Sequence, residues 1–139
     1  MDTSNNLLNA KILIVDNQAA NVLLLGRILD RAGYTSVAST MNPREVFELH
    51  RKHRYDLILL DLQMPGMDGF NVMEGLKESE PAGDLPVLVI SAHPDDKARA
   101  LKSGAKDFTS RPFDHVDLLA RVRGMLEKRL LKNPSDRAT

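Results

Sequence analysis

The run Leu57-Ile58-Leu59-Leu60 is the most hydrophobic short stretch of the chain, and it ends on an aspartate, Asp61. Four apolar residues before a turn punctuated by Pro65, Gly66 and Gly69 fit a strand covered on both faces, the strand type of a parallel sheet sandwiched between helices. A second run, Ile12-Leu13-Ile14-Val15, also ends on an aspartate, Asp16. In open parallel sheets ligands collect beyond the carboxyl ends of the strands. Two strands that each deliver a carboxylate to one edge therefore mark where chemistry is to be sought, and paired carboxylates there suggest a divalent cation.

Periodicity along the rest of the chain supplies the other elements. Lys11 to Val15 reads as a strand, and Asn21 to Leu29 places Leu24, Leu25, Ile28 and Leu29 on one helical face before Gly33. Thr35 to Ser39 is a short strand. Asn42-Pro43 offers an N-cap with proline at the first helical position, leading a helix to about His53. Leu57 to Leu60 follows as the third strand, and Asp68 can cap a helix carrying Phe70, Val72, Met73 and Leu76. Val87 to Ile90 is a strand ending at Ser91, Pro94 begins a helix that stops at Ser103-Gly104, Lys106 to Thr109 is a strand, and Phe113 to about Leu131 is an amphipathic helix. Strict alternation with short connections predicts right-handed βαβ crossovers, hence an α/β fold. It would be a single doubly wound five-stranded parallel sheet in the order 2-1-3-4-5, flanked by five helices. That order sets strands one and three side by side, so Asp16 and Asp61 converge. Residues 1–9 read as a polar N-terminal extension, 10–131 as one domain, and 132–139 as a polar tail or linker stub.

Composition narrows the functions. Nineteen basic residues balance nineteen acidic ones, so there is no electrostatic footprint for nucleic acid. Cysteine is absent, which removes disulfides, thiolate zinc sites and thiol catalysis. No apolar run approaches a membrane span and no leader-like segment opens the chain, so the expected location is the cytoplasm.

With that strand order, the carboxyl edge gathers Asp16, Asn17, Asp61, Ser91 and Arg111. Each has a use around a phosphoryl group. Asp61 is a candidate nucleophile. Asp16, Asn17, Asp61 and the backbone carbonyl of Gln63 are candidate Mg²⁺ ligands, Ser91 a hydrogen-bond donor to phosphoryl oxygen, and Arg111 a positive charge for the same oxygens. His93 borders the site. His50 and His53, among Arg51, Lys52 and Arg54, read as a solvated face and not a metal site.

The segments Ile12 to Asp16, Leu59 to Gly69, Val89-Ile90-Ser91-Ala92, and Gly104 to Phe108 through Arg111-Pro112-Phe113 together resemble the receiver domain of two-component response regulators. The resemblance covers about residues 10 to 130. It implies that Asp61 accepts a phosphoryl group from a phosphohistidine on a sensor histidine kinase or phosphotransfer protein, with Mg²⁺ required. Ser91 would then turn toward the aspartyl phosphate, Phe108 would move inward, and the face of the fourth helix, fifth strand and fifth helix would change for a downstream effector or output domain. A homodimer through that face, with Lys97, Asp107 and Arg121 as charged contacts, belongs to the same expectation. Packing alone is an equal reading of Phe108.

Two positions depart from the family pattern of an acidic pair after the first strand and a lysine before Pro-Phe: here stand Asn17 and Arg111. Losing a carboxylate weakens the expected Mg²⁺ affinity, because unit charges about 4 Å apart interact by about 4 kcal/mol at an effective dielectric near 20. Arginine's planar fork can clasp Asp61 or Asp16, where lysine is a point charge. The alternative is therefore a pseudo-receiver that binds a partner without phosphorylation. A Mg²⁺-dependent phosphatase ranks lower, since Gln63 stands where such enzymes carry a second acid.

Overall fold

The computed structural model describes residues 7–62, 69–79 and 85–132. Five strands, β1 (Lys11–Val15), β2 (Ser36–Thr40), β3 (Leu57–Asp61), β4 (Val87–Ser91) and β5 (Asp107–Ser110), form one parallel sheet in the order β2-β1-β3-β4-β5. The intervening helices are α1 (Ala19–Arg31), α2 (Val46–His53), α3 (Gly69–Ser79), α4 (Lys97–Lys102) and α5 (His115–Lys132). The architecture is the one expected from the alternating pattern.

Side-chain alternation builds two cores. Ile12, Ile14, Leu57, Leu59, Leu88 and Ile90 face α1 and α5, meeting Leu25, Ile28, Leu29, Leu118, Val122 and Leu126. Their neighbours Leu13, Val15, Ile58, Leu60, Val87 and Val89 face Val46 of α2, Val72, Met73 and Leu76 of α3, and Ala100 of α4. Both central strands β3 and β4 are buried along their whole length, which explains their unbroken apolar runs. The outer strand β2 is largely exposed and correspondingly polar.

The differences from the sequence reading have local causes. Pro43 and Pro94 open 3₁₀ turns, Pro43–Glu45 and Pro94–Asp96, and the α-helices start behind them at Val46 and Lys97. Asn42 does cap the first of these turns, its side chain accepting from the Arg44 amide at 3.0 Å. Gly33, at φ +101°, and Gly104, at φ +117°, take the left-handed conformation that ends α1 and α4.

Two expectations need correcting. The end of the supposed polar extension belongs to the core: Leu7 is buried against the α1 and α5 face, and the Leu8 carbonyl accepts from the Thr35 amide at 3.1 Å. His50 is not on a solvated face either. It is 1% exposed, stacks on Tyr55, and its Nδ1 accepts the Tyr55 amide at 3.1 Å. A histidine three residues from its exposed neighbour His53 thus closes the turn from α2 toward β3. The expected cap Asp68 and residues 133–139 lie outside the described residues.

Candidate functional site

The site is assembled by strand register. β1 pairs with β3 so that Val15 lies opposite Leu60, which brings the next residues, Asp16 and Asp61, to adjacent positions at the carboxyl edge. The alternation that turns Ile12, Ile14, Leu57 and Leu59 toward α1 and α5 assigns both aspartates to that same side. Asp61 is still in the ladder, opposite Ile90, and Ser91 lies opposite Ser110, one residue before Arg111. Four strands thus contribute to one short stretch of sheet edge. Both aspartates are buried, Asp16 at 1% exposure and Asp61 at 9%.

Burial of a carboxylate is tolerable only if its oxygens are bonded. Asp16 Oδ1 accepts the Gln18 amide at 2.9 Å and, more weakly, Asn21 Nδ2 at 3.5 Å. Its Oδ2 accepts from Arg111 Nη2 at 2.7 Å, an ion pair spanning from β1 to the loop after β5. Of the two carboxylates that the arginine was expected to clasp, the structure pairs it with Asp16. The backbone of Arg111 is fixed separately, its amide donating to the Ser91 carbonyl at 2.8 Å, and the peptide bond to Pro112 is cis.

Two buried polar atoms have no hydrogen-bond partner among the described residues: Asn17 Oδ1 and Arg111 Nε. The first is an oxygen with free lone pairs beside Asp16, a donor of the hard type that Mg²⁺ takes. Asp16, Asn17 and Asp61 therefore fit a magnesium ion chemically. Among the described residues no group of three or more His, Cys, Asp or Glu side chains is placed to hold a metal ion, this edge included, where two carboxylates stand beside an amide oxygen. Gln63, whose carbonyl was the fourth expected ligand, lies outside the described residues.

Ser91 is fully buried and doubly engaged. Its hydroxyl donates to Asp96 Oδ2 at 3.0 Å and accepts the His93 amide at 3.1 Å. The sequence reading missed Asp96, although its position five residues after Ser91, behind Pro94, was a readable sign of a tight turn folding back. His93 enters through its backbone, while its side chain is exposed. Phe108 is 5% exposed and already packed with the α2, α3 and α4 core. Asp107 and Arg121, two of the expected dimer contacts, bond to each other within the chain at 2.7 Å. The hydrogen bonds that Arg121 donates to Asp117 and Asp107 raise its pKa above the ordinary value.

The family described as response regulator receiver domain matches residues 12–123. The chain is 40% identical over 126 residues to the response regulator PleD of Caulobacter vibrioides, covering 89% of this chain and 28% of that protein. Among solved structures it resembles the signal receiver domain of a signal transduction histidine kinase from Syntrophus aciditrophicus, at 32% identity and a TM-score of 0.76, over 85% of this chain and 90% of that one. It also resembles the chemotaxis protein CheY4 of Vibrio cholerae, at 27% identity and a TM-score of 0.77, over 84% and 98% of the two chains. The matched stretch spans 28% to 54% of the length of the first curated relatives.

Proposed function

Since this chain belongs to the response regulator receiver domain family, we propose that Asp61 is its phosphoacceptor. The donor would be a phosphohistidine on a sensor histidine kinase or phosphotransfer protein in the cytoplasm. The observation that carries this reading is the convergence of buried Asp16 and Asp61 at the carboxyl ends of the adjacent strands β1 and β3, with Ser91 at the end of β4 and Arg111 just beyond β5. An Asp61 carboxylate oxygen attacks phosphorus as the bond to the imidazole nitrogen breaks, and the leaving imidazole keeps that electron pair. Asp16, Asn17 and Asp61 would hold Mg²⁺, which when bound screens the acceptor from the incoming anion. Ser91 would leave Asp96 to donate to a phosphoryl oxygen, and this loss of a tie to the Pro94–Asp96 turn would reshape the α4, β5 and α5 face for an effector.

The test is intact mass after incubation with acetyl phosphate and Mg²⁺. One phosphoryl adduct on the parent, absent from Asp61→Asn, is the expected result. A second reading, partner binding without phosphorylation, is favoured by one observation, the Arg111 to Asp16 ion pair inside the site. It predicts no adduct on the parent and partner capture unaffected by Asp61→Asn.

A further inference from the structure

We propose that Arg111 is a built-in competitor of Mg²⁺ for Asp16, so that metal enters only as the guanidinium leaves the carboxylate. The proposal rests on the reading of this edge as a metal-assisted phosphoryl site and concerns how that site is controlled. Asp16 is 1% exposed, and both its oxygens are engaged, Oδ1 by the Gln18 amide and Oδ2 by Arg111 Nη2 at 2.7 Å. A magnesium ion bound to the same oxygen would sit about 2.1 Å from it. The guanidinium and the metal would then crowd two like charges into one buried volume. The adjacent donor, Asn17 Oδ1, is buried without a partner but brings no negative charge to favour the divalent ion over the arginine.

The geometry also provides for release. Arg111 holds Asp16 through Nη2 while its Nε is buried and unbonded, so the contact is weaker than a two-nitrogen fork. Its amide is tied to the Ser91 carbonyl, so release requires only rotation of the side chain about a fixed backbone. Beside it lies a cavity of about 180 Å³, lined among others by Asn21, Leu24 and Phe113, into which the guanidinium can turn. Once off Asp16, the arginine is available to phosphoryl oxygens, so metal entry and arming of the cation become one event.

Isothermal titration calorimetry of the full chain with Mg²⁺, on the parent, Arg111→Lys and Arg111→Gln, reads the competition directly. Arg111→Gln should bind Mg²⁺ about tenfold more tightly, the gain when a contact that leaves a tenth of the molecules binding-competent is removed, and Arg111→Lys should fall between. In parallel, the Arg111 Nε–H resonance of the parent, assigned by its loss in Arg111→Lys, should shift with the calorimetric midpoint. Unchanged affinity in both variants, no Mg²⁺ binding in any of the proteins, or an Nε–H resonance unmoved at saturation would each overturn the proposal. If Arg111→Gln does not fold because Asp16 is left unpaired, Arg111→Lys and the resonance decide. Competition without an Asp61 adduct in any variant would remove the phosphoacceptor reading and leave the competition standing. An adduct with unchanged metal affinity would do the reverse.

Discussion

Replacing Gly69 by alanine should disturb the fold and the site together. Gly69 is the first residue of α3, and its amide donates to the Leu62 carbonyl at 3.0 Å, next to Asp61. A β-carbon built there stands 2.6 Å from Leu62 Cα, 2.8 Å from Leu62 Cδ2 and 3.0 Å from the Asp61 carbonyl oxygen. Carbon atoms rest about 3.5–4.0 Å apart, so about 1 Å must be found, and the nearest obstacle is backbone. Overpacking of this kind costs about 1–3 kcal/mol. The smaller conformational freedom of unfolded alanine returns about 0.5–1 kcal/mol. The net loss spans roughly 0–2.5 kcal/mol and centres near 1, which in a domain of this size lowers Tm by about 3–6 °C. Gly26 in α1 and Gly124 in α5 provide controls within the same molecule, since a β-carbon at either meets nothing within 4 Å. Alanine there should stabilise by about 0.5–1 kcal/mol. Scanning calorimetry of the three variants measures both signs, and acetyl phosphate labelling should slow only in Gly69→Ala. A Gly69→Ala protein that melts no lower than the parent and labels at the parental rate would refute the argument from close approach.

Three further outcomes are expected. Asp96→Ala removes the acceptor that holds the Ser91 hydroxyl; freeing one hydrogen bond of about 1 kcal/mol should raise the phosphorylated fraction at limiting acetyl phosphate about fivefold by mass spectrometry, and an unchanged fraction would count against the Ser91 to Asp96 bond as a restraint on phosphorylation. His50→Leu strands the buried Tyr55 amide and should cost about 1–3 kcal/mol in urea unfolding, while His53→Leu at the exposed neighbour should stay within about 0.5 kcal/mol. Burial raises the pKa of both Tyr34 and Tyr55 above 10.0, so the folded state keeps protons that the unfolded state loses. That contribution to stability is complete below pH 10 and is lost as pH rises through the raised values; tyrosinate absorbance, undisturbed by tryptophan in this chain, should lag in the folded protein.

The three inner strands were legible nearly to the residue because each is an apolar run bounded by polar residues, and the outer two, β2 and β5, because they fall where strict alternation requires a strand. Where the reading stopped one residue short, at Ser39, Leu60 and Thr109, the next residue is polar yet remains in the ladder: Thr40 pairs with Val15, Asp61 with Ile90 and Ser110 with Ser91. Hydrophobicity reports burial in the core, whereas backbone pairing continues to the sheet edge. Strand order then placed Asp16, Asp61, Ser91 and Arg111 together. The partners of these residues were legible only in part. Arg111 was expected on Asp61 or Asp16, but the choice of Asp16, 95 residues away, and the turn of Ser91 to Asp96 depend on rotamers and loop paths that no periodicity encodes. His50 misled for a related reason: charged neighbours suggested solvent, but on a helix residues one apart point in different directions, and the His50 side faces the sheet.

The two departures from the family pattern act on opposite charges, and their magnitudes can be compared. Asp16, Asp61 and Arg111 sum to −1 − 1 + 1 = −1, whereas an acidic pair with a lysine would sum to −1 − 1 − 1 + 1 = −2. At about 4 Å and an effective dielectric near 20, removing one negative charge costs a divalent cation about 8 kcal/mol of attraction before solvent screening. It relieves a doubly charged phosphoryl group of repulsion of the same order. The two effects nearly cancel when metal and phosphoryl are bound together, so Asn17 penalises chiefly the state with metal alone. Arg111 on Asp16 weighs against that same state. On the proposed phosphoacceptor reading, the free site is therefore biased toward its arginine-closed form, while a phosphorylated form would keep most of its stability.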